Sequence, residues 1–168
     1  GEDLLLSDVA DGILWAVQQN VDVINLSLGT TAESLIIKNA IAQAISKNIF
    51  IVAAAGNENL VLNAQNLSYP AMYNVQYQGL ISVGSLDVLS GQRSFFSNYS
   101  PLYVDILAPG SSGSEGIAST VPLSLTANGS GFASKLVLSA TVSEPIQGTS
   151  MSTPVVAGAI AAAVSLTR

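Results

Sequence analysis

The chain has 168 residues and a net charge of −6, with 49% hydrophobic against 10% charged residues. That is the balance of a chain that buries a large core, not of a disordered one. It has no basic cluster, so nucleic acid and anionic membrane surfaces are poor partners. The absence of cysteine and histidine excludes disulfides, Cys-based sites and any Ser-His or Cys-His pair completed from within the sequence.

Residues 1–6 carry two acids and three leucines and no basic run, so no signal peptide is expected there. From Ser7 to Asn20, Val9, Ile13, Trp15, Ala16 and Val17 recur at helical spacing, with Ser7 or Asp8 able to cap the start and Trp15 expected in the core. Val21–Leu28 (VDVINLSL) reads as a strand ended by Gly29, with Asn25 expected to be buried in it. Helical spacing returns over Glu33–Lys47. Ile49–Ala55 (IFIVAAA) is a continuous apolar strand closed by Gly56-Asn57. Near-continuous apolar strands joined by helices predict an α/β fold: a three-layer, mostly parallel sheet covered by helices on both faces.

Asn59–Gln78 reads as loop with a Tyr69-Pro70 turn, and Leu80–Leu86 and Tyr103–Leu107 as short strands. Residues 110–131 are rich in Gly and Ser, and Lys135–Val142 is a further strand candidate. Gly148–Thr167 reads as a terminal helix with Pro154 in its first turn, and Ala157, Gly158, Ala161 and Ala162 allow close approach of neighbours. Its longest apolar run, Pro154–Val164, is too short to span a bilayer. Asp87 and Asp105 lack calcium-loop spacing and suit turn and surface roles. Asn-x-Ser triplets begin at Asn25, Asn66, Asn98 and Asn128.

Three segments carry chemistry. Gly148-Thr149-Ser150-Met151-Ser152-Thr153-Pro154 opens the terminal helix. A serine there sits beside unpaired backbone N–H groups and the positive end of the helix dipole. The alternative is that Ser150 only caps the helix. Ala53-Ala54-Ala55-Gly56-Asn57 ends a buried strand, where an amide side chain can donate to a developing oxyanion. Its plain alternative is a Gly-Asn turn. Asn25-Leu26-Ser27-Leu28-Gly29 ends another strand, whose edge can pair with an extended peptide.

In this order, the three segments resemble the subtilisin-like serine peptidases, or subtilases. Lesser similarities are Tyr69-Pro70-Ala71, Ile81-Ser82-Val83-Gly84, Phe95-Phe96-Ser97-Asn98 and Leu107-Ala108-Pro109-Gly110. The resemblance covers nearly the whole chain. It implies a serine endopeptidase acting through an acyl-enzyme on Ser150, with Asn57 and the Ser150 N–H holding the oxyanion. It further implies that Ser27, Leu28 and Gly29 pair with the substrate backbone, while Ala54, Ala55 and Gly56 line the S1 pocket with Ser68 near its base. Small residues there suggest an S1 pocket open to medium or large apolar side chains.

The family's Asp and His precede Gly1, so the chain corresponds to the C-terminal part of one such domain. Alone it is expected to be inactive and to require its N-terminal counterpart. Residues 111–147 exceed the compact family pattern, as a surface loop or small β insertion. Val155 stands where His is common, read as a packing variant, and Ser152 where Ala is usual, read as neutral. The resemblance implies no cofactor; structural calcium in the parent protein is not indicated by these residues. It implies a polypeptide substrate, no nucleic acid or membrane partner, and a secreted or extracytoplasmic location. The alternative is a non-catalytic member of the fold that binds extended peptide, but the intact Ser150 and Asn57 favour the enzyme.

Overall fold

β-branched and apolar residues dominate the stretch from Phe50 to Ala54, and it forms the second strand of a parallel sheet. A computed structural model describes residues 5–120, 132–133, 135–139 and 142–167 of the chain. The elements run α1 (Leu6–Gln18), β1 (Val23–Leu26), α2 (Leu35–Ser46), β2 (Phe50–Ala54), a 3₁₀ turn (Ala71–Val75), β3 (Leu80–Asp87) and β4 (Ile106–Ser111). They continue through β5 (Ser119–Thr120), β6 (Phe132–Ala133), β7 (Lys135–Ser139), β8 (Val142–Pro145) and α3 (Thr149–Leu166).

Strands β1 to β4 lie side by side in chain order, all parallel, with Asn25 opposite Val52 and Val52 opposite Ile81. Alternation along β2 sorts its side chains to two faces. Ile51 and Ala53 pack with Ile13, Ile37 and Ile41 of α1 and α2. Val52 faces the other way, with Val83 and Ala108, against Val156, Ala157 and Ile160 of α3. Helices therefore cover both faces, giving the three-layer α/β fold. Antiparallel pairs β5–β6 and β7–β8 occupy part of the stretch between β4 and α3.

Several expectations need correcting. No side chain caps α1; its N-cap is Leu5. Trp15 is 62% exposed. Val9, Ala10 and Ile13 take the buried face of α1, and Trp15 stands roughly 200° round the helix from Ile13. Asn25 is exposed, because the alternation of β1 buries Ile24 and Leu26 instead. Strand β4 begins only at Ile106, after a turn at Pro101–Tyr103, and runs on through Pro109 and Gly110. Proline is tolerated because β4 borders the described sheet, where a missing N–H leaves no partner unmatched.

Helix α3 differs most from expectation. Pro154 is its sixth residue, in the second turn and not the first. Gly158, Ala161 and Ala162 face away from the sheet and are exposed, leaving Val156, Ala157 and Ile160 to make the contact. Val155 is 45% exposed. With mean hydropathy 1.4 over 18 residues, α3 does satisfy the length and composition of a membrane span. It also packs across all four parallel strands, with its outer face exposed.

Candidate active site

Parallel strands all end on the same side, so the loops after β1 and β2 meet the start of α3 there. Gly148 is the N-cap of α3, at φ 146°, a conformation side chains rarely adopt. A Cβ at Gly148 would sit 3.4 Å from Asn57 Nδ2. Its N–H donates to Gly110 O at 2.8 Å, tying the helix start to the end of β4. Ser150 is thus the second residue of the helix, not its N-cap. The capping alternative therefore falls. The Ser150 hydroxyl instead donates to Ser27 O at 3.2 Å.

Asn57 is fixed from the same helix start. Its Oδ1 accepts from the Thr149 N–H at 2.8 Å and the Thr149 hydroxyl at 3.1 Å. With its oxygen engaged twice, the amide's NH₂ is the end left to donate. Thr149 is fully buried, and its hydroxyl oxygen also accepts from the Gly56 N–H at 3.2 Å. One threonine thus locks the β2 loop onto α3.

Asn98, 2% exposed, holds the same loop from behind. Its Nδ2 donates to Ala55 O at 2.9 Å and to Glu58 Oε2 at 2.6 Å. Its Oδ1 accepts from the Glu58 and Leu60 N–H groups at 3.2 and 2.9 Å. Gly56 makes room for this clamp: at φ 101°, a Cβ there would collide with Asn98 Nδ2. Neither Asn98 nor Thr149 stands out in the sequence as a site residue, although both lie within motifs that do.

A cleft of about 250 Å³ opens beside Ser150. Leu28, Gly29, Ala54, Gly56, Asn57 and Ser68 all line it. Ala55 does not: it is fully buried against Leu62 and Met72, and its N–H bonds to Val83 O at 2.9 Å. Alternation along the strand explains this, since neighbouring residues face opposite sides. Ser27 is also absent from the wall and contacts Ser150 directly. Leu67, Thr30, Thr31, Thr149 and Glu58 complete the lining, and Glu58 is its one charged residue among those described. Leu28, Gly29 and Thr30 also border a neighbouring hollow of about 260 Å³. Reciprocal 2.8 Å bonds between Thr30 and Tyr69 close the wall between strand end and loop.

On its other side Ser150 borders a hollow of about 440 Å³ with Ile117, Ser119, Met151, Pro154 and Val155. No basic group is described at the serine. Lys38 is held by Glu33 at 2.9 Å on α2, which raises its pKa. No cluster of metal-ligating residues occurs among the described residues. Asp87 accepts hydrogen bonds from the turn that follows β3, while Asp105, exposed just before β4, accepts from the Ser82 N–H of β3 at 2.8 Å. Of the Asn-x-Ser positions, Asn98 is buried and fully bonded, and Asn128 lies outside the described residues.

The family model of the subtilase family matches residues 1–167. The chain is 36% identical over 156 residues to a thermostable alkaline protease of Halalkalibacterium halodurans, covering 93% of this chain and 35% of that protein. It is 36% identical over 157 residues to the subtilisin of Bacillus pumilus, covering 94% and 47%. A cold-adapted subtilisin-like serine proteinase superposes with TM-score 0.71 at 32% identity, over 97% of this chain and 49% of that one. A protease of Pseudoalteromonas arctica superposes with TM-score 0.69 at 34% identity, over 94% and 45%. The chain therefore spans between a third and a half of these relatives' lengths. With the matching fold and site segments, this means that the chain belongs to the subtilase family of serine proteases.

Proposed function

We propose that the parent protein is a serine endopeptidase in which Ser150 attacks the scissile carbonyl and forms an acyl-enzyme. The Ser150 N–H and Asn57 Nδ2 take the developing oxyanion. Catalytic Asp and His come from a segment upstream of Gly1. The observation that carries this reading is the double anchoring of Asn57 Oδ1 by Thr149, the residue before Ser150, which leaves the amide's NH₂ as the end free to donate. A donor fixed before the reaction needs no reorganisation as charge develops. Leu28 and Gly29, flanking two adjoining clefts, suit an extended peptide backbone. The substrate is polypeptide, with a P1 side chain in the 250 Å³ cleft, and the site of action is extracytoplasmic.

Activation needs a base. A serine hydroxyl is protonated at neutral pH and is a weak nucleophile without one. The sequence contains no histidine. The test is labelling with a fluorophosphonate. The full-length protein should label on Ser150, and Ser150→Ala should not label. The 168-residue chain alone should stay unlabelled; stoichiometric labelling of it would overturn the proposed activation.

A further inference from the structure

An α-helical carbonyl at position i normally accepts from the N–H at i+4. For Ser150 that position is Pro154, which has no N–H. The Ser150 carbonyl is therefore released from the helix ladder. Ser27 Oγ donates to it at 2.8 Å, from 123 residues earlier in the chain. Ser27 Oγ in turn accepts from Asn25 Nδ2 at 3.0 Å. The main chain of Ser27 completes the grip, its carbonyl accepting the Ser150 hydroxyl at 3.2 Å. One residue just beyond β1 thus holds both the carbonyl and the hydroxyl of Ser150.

We propose that Asn25 and Ser27 form a positioning relay for Ser150, made possible by Pro154. This rests on the reading of Ser150 as nucleophile. Asn25 fixes the rotation of the Ser27 hydroxyl, so that its proton points to the Ser150 carbonyl. A hydroxyl that accepts one bond donates the next more strongly. Proline converts what would be a bond internal to the helix into a tether between helix and sheet. The tether fixes the Ser150 peptide unit, and with it the direction of both its N–H and its Cα–Cβ bond. Small misplacements of a reacting group cost up to about 10²-fold in rate. Ser27 and Asn25 touch no reacting atom through their side chains, so they are positioning residues.

The relay predicts a specific non-additivity. Pro154→Ala supplies the missing N–H and returns the Ser150 carbonyl to the helix, which makes the Ser27 hydroxyl redundant. In the full-length protein, normalised to titrated active sites, Ser27→Ala should lower kcat roughly 10- to 100-fold with KM changed less than about threefold. Ser27→Thr should recover most of that loss. In a Pro154→Ala background, the cost of Ser27→Ala should fall below about threefold. An equal cost of Ser27→Ala in both backgrounds, or no cost at all, overturns the relay. If Ser27→Ala does not fold, Asn25→Ala and Pro154→Ala form the same cycle, with a loss of about two- to fivefold that should vanish beside alanine at 154. The nucleophile reading is tested separately: persistent fluorophosphonate labelling of Ser150→Ala would defeat that reading, whatever the cycle shows.

Discussion

The Thr149 amide donates to Asn57 Oδ1 at 2.8 Å across 92 residues of sequence. The bond leaves the Asn57 NH₂ as the donor end and brings it to the turn that carries Ser150. Replacing the side chain removes that donor and frees the Thr149 amide.

Asn57→Ala in the full-length protein should therefore lower kcat by ~10²–10³-fold while leaving KM nearly unchanged. That magnitude is carried over from subtilisin, a member of the same family, and does not come from the distances above. Steady-state kinetics on a peptide substrate measures it. A loss confined to KM would mean that Asn57 binds substrate and transition state equally.

Ser152 offers a prediction of opposite sign. Its side chain is fully buried and its hydroxyl has no hydrogen-bond partner. The expected neutrality of serine at this position is thus not what the packing implies. An unmatched buried hydroxyl costs about 1–3 kcal/mol. Ser152→Ala should raise stability by about 1 kcal/mol, read as a higher urea midpoint at unchanged slope. A lower midpoint would show that the hydroxyl finds a partner in solution.

Acid sensitivity should centre on Asp87. Its Oδ1 accepts from the Leu89 and Ser90 N–H groups at 3.0 and 2.9 Å, and its Oδ2 from the Gly113 N–H at 2.8 Å. Foremost through the Ser90 N–H, and then the Gly113 N–H, these bonds hold its pKa down at about 2, against 3.8 for an unperturbed carboxyl. A carboxylate depressed on folding adds stability above its unfolded pKa, and that stability fades as pH falls through the folded value. The Asp87 contribution should be complete above about pH 5 and lost between about pH 4 and 2. Asp87→Asn should be less stable than wild type at neutral pH, and the two unfolding curves should converge on acidification. A gap that is constant with pH would assign the effect to shape and not to charge.

Much of this architecture is legible in the sequence, because apolar period and burial agree. The run IFIVAAA is apolar because both faces of β2 are covered from Ile51 to Ala54, and α2 shows Ile37, Ala40, Ile41 and Ala44 on one buried stripe. Periodicity misleads where a pattern has no cover. Trp15 fits an apolar helical spacing yet points outward, and the small residues of α3 face away from the sheet. Strand β4 runs over Ile106–Ser111 and not Tyr103–Leu107, and carries Pro109, which an edge strand tolerates. Within the site, the motif residues fall where their strand ends and helix start put them. What holds them does not show. Asn98 reaches back 40 residues to Glu58, and Ser27 forward 123 to Ser150, and no local spacing encodes such bonds.

The last prediction concerns the chain in isolation. Strand β1 is the outer strand of the described sheet on the side away from β4. A parallel strand at an open edge presents N–H and C=O groups that invite pairing. On the same molecule Trp15 is 62% exposed and Val155 45%, and α3 is only 17% buried despite its apolar composition. Fully covering a large apolar side chain stabilises by about 1.5–3 kcal/mol. A few such side chains therefore carry as much free energy as a typical domain has in hand. The 168-residue chain purified alone should associate edge to edge or aggregate, and adding the upstream part of its domain should yield a soluble complex. Size-exclusion chromatography with light scattering distinguishes these outcomes. A monodisperse species at 17.2 kDa that unfolds cooperatively would show that the edge and the apolar back of α3 need no cover. In that case the proposed dependence on an N-terminal counterpart would have to be abandoned.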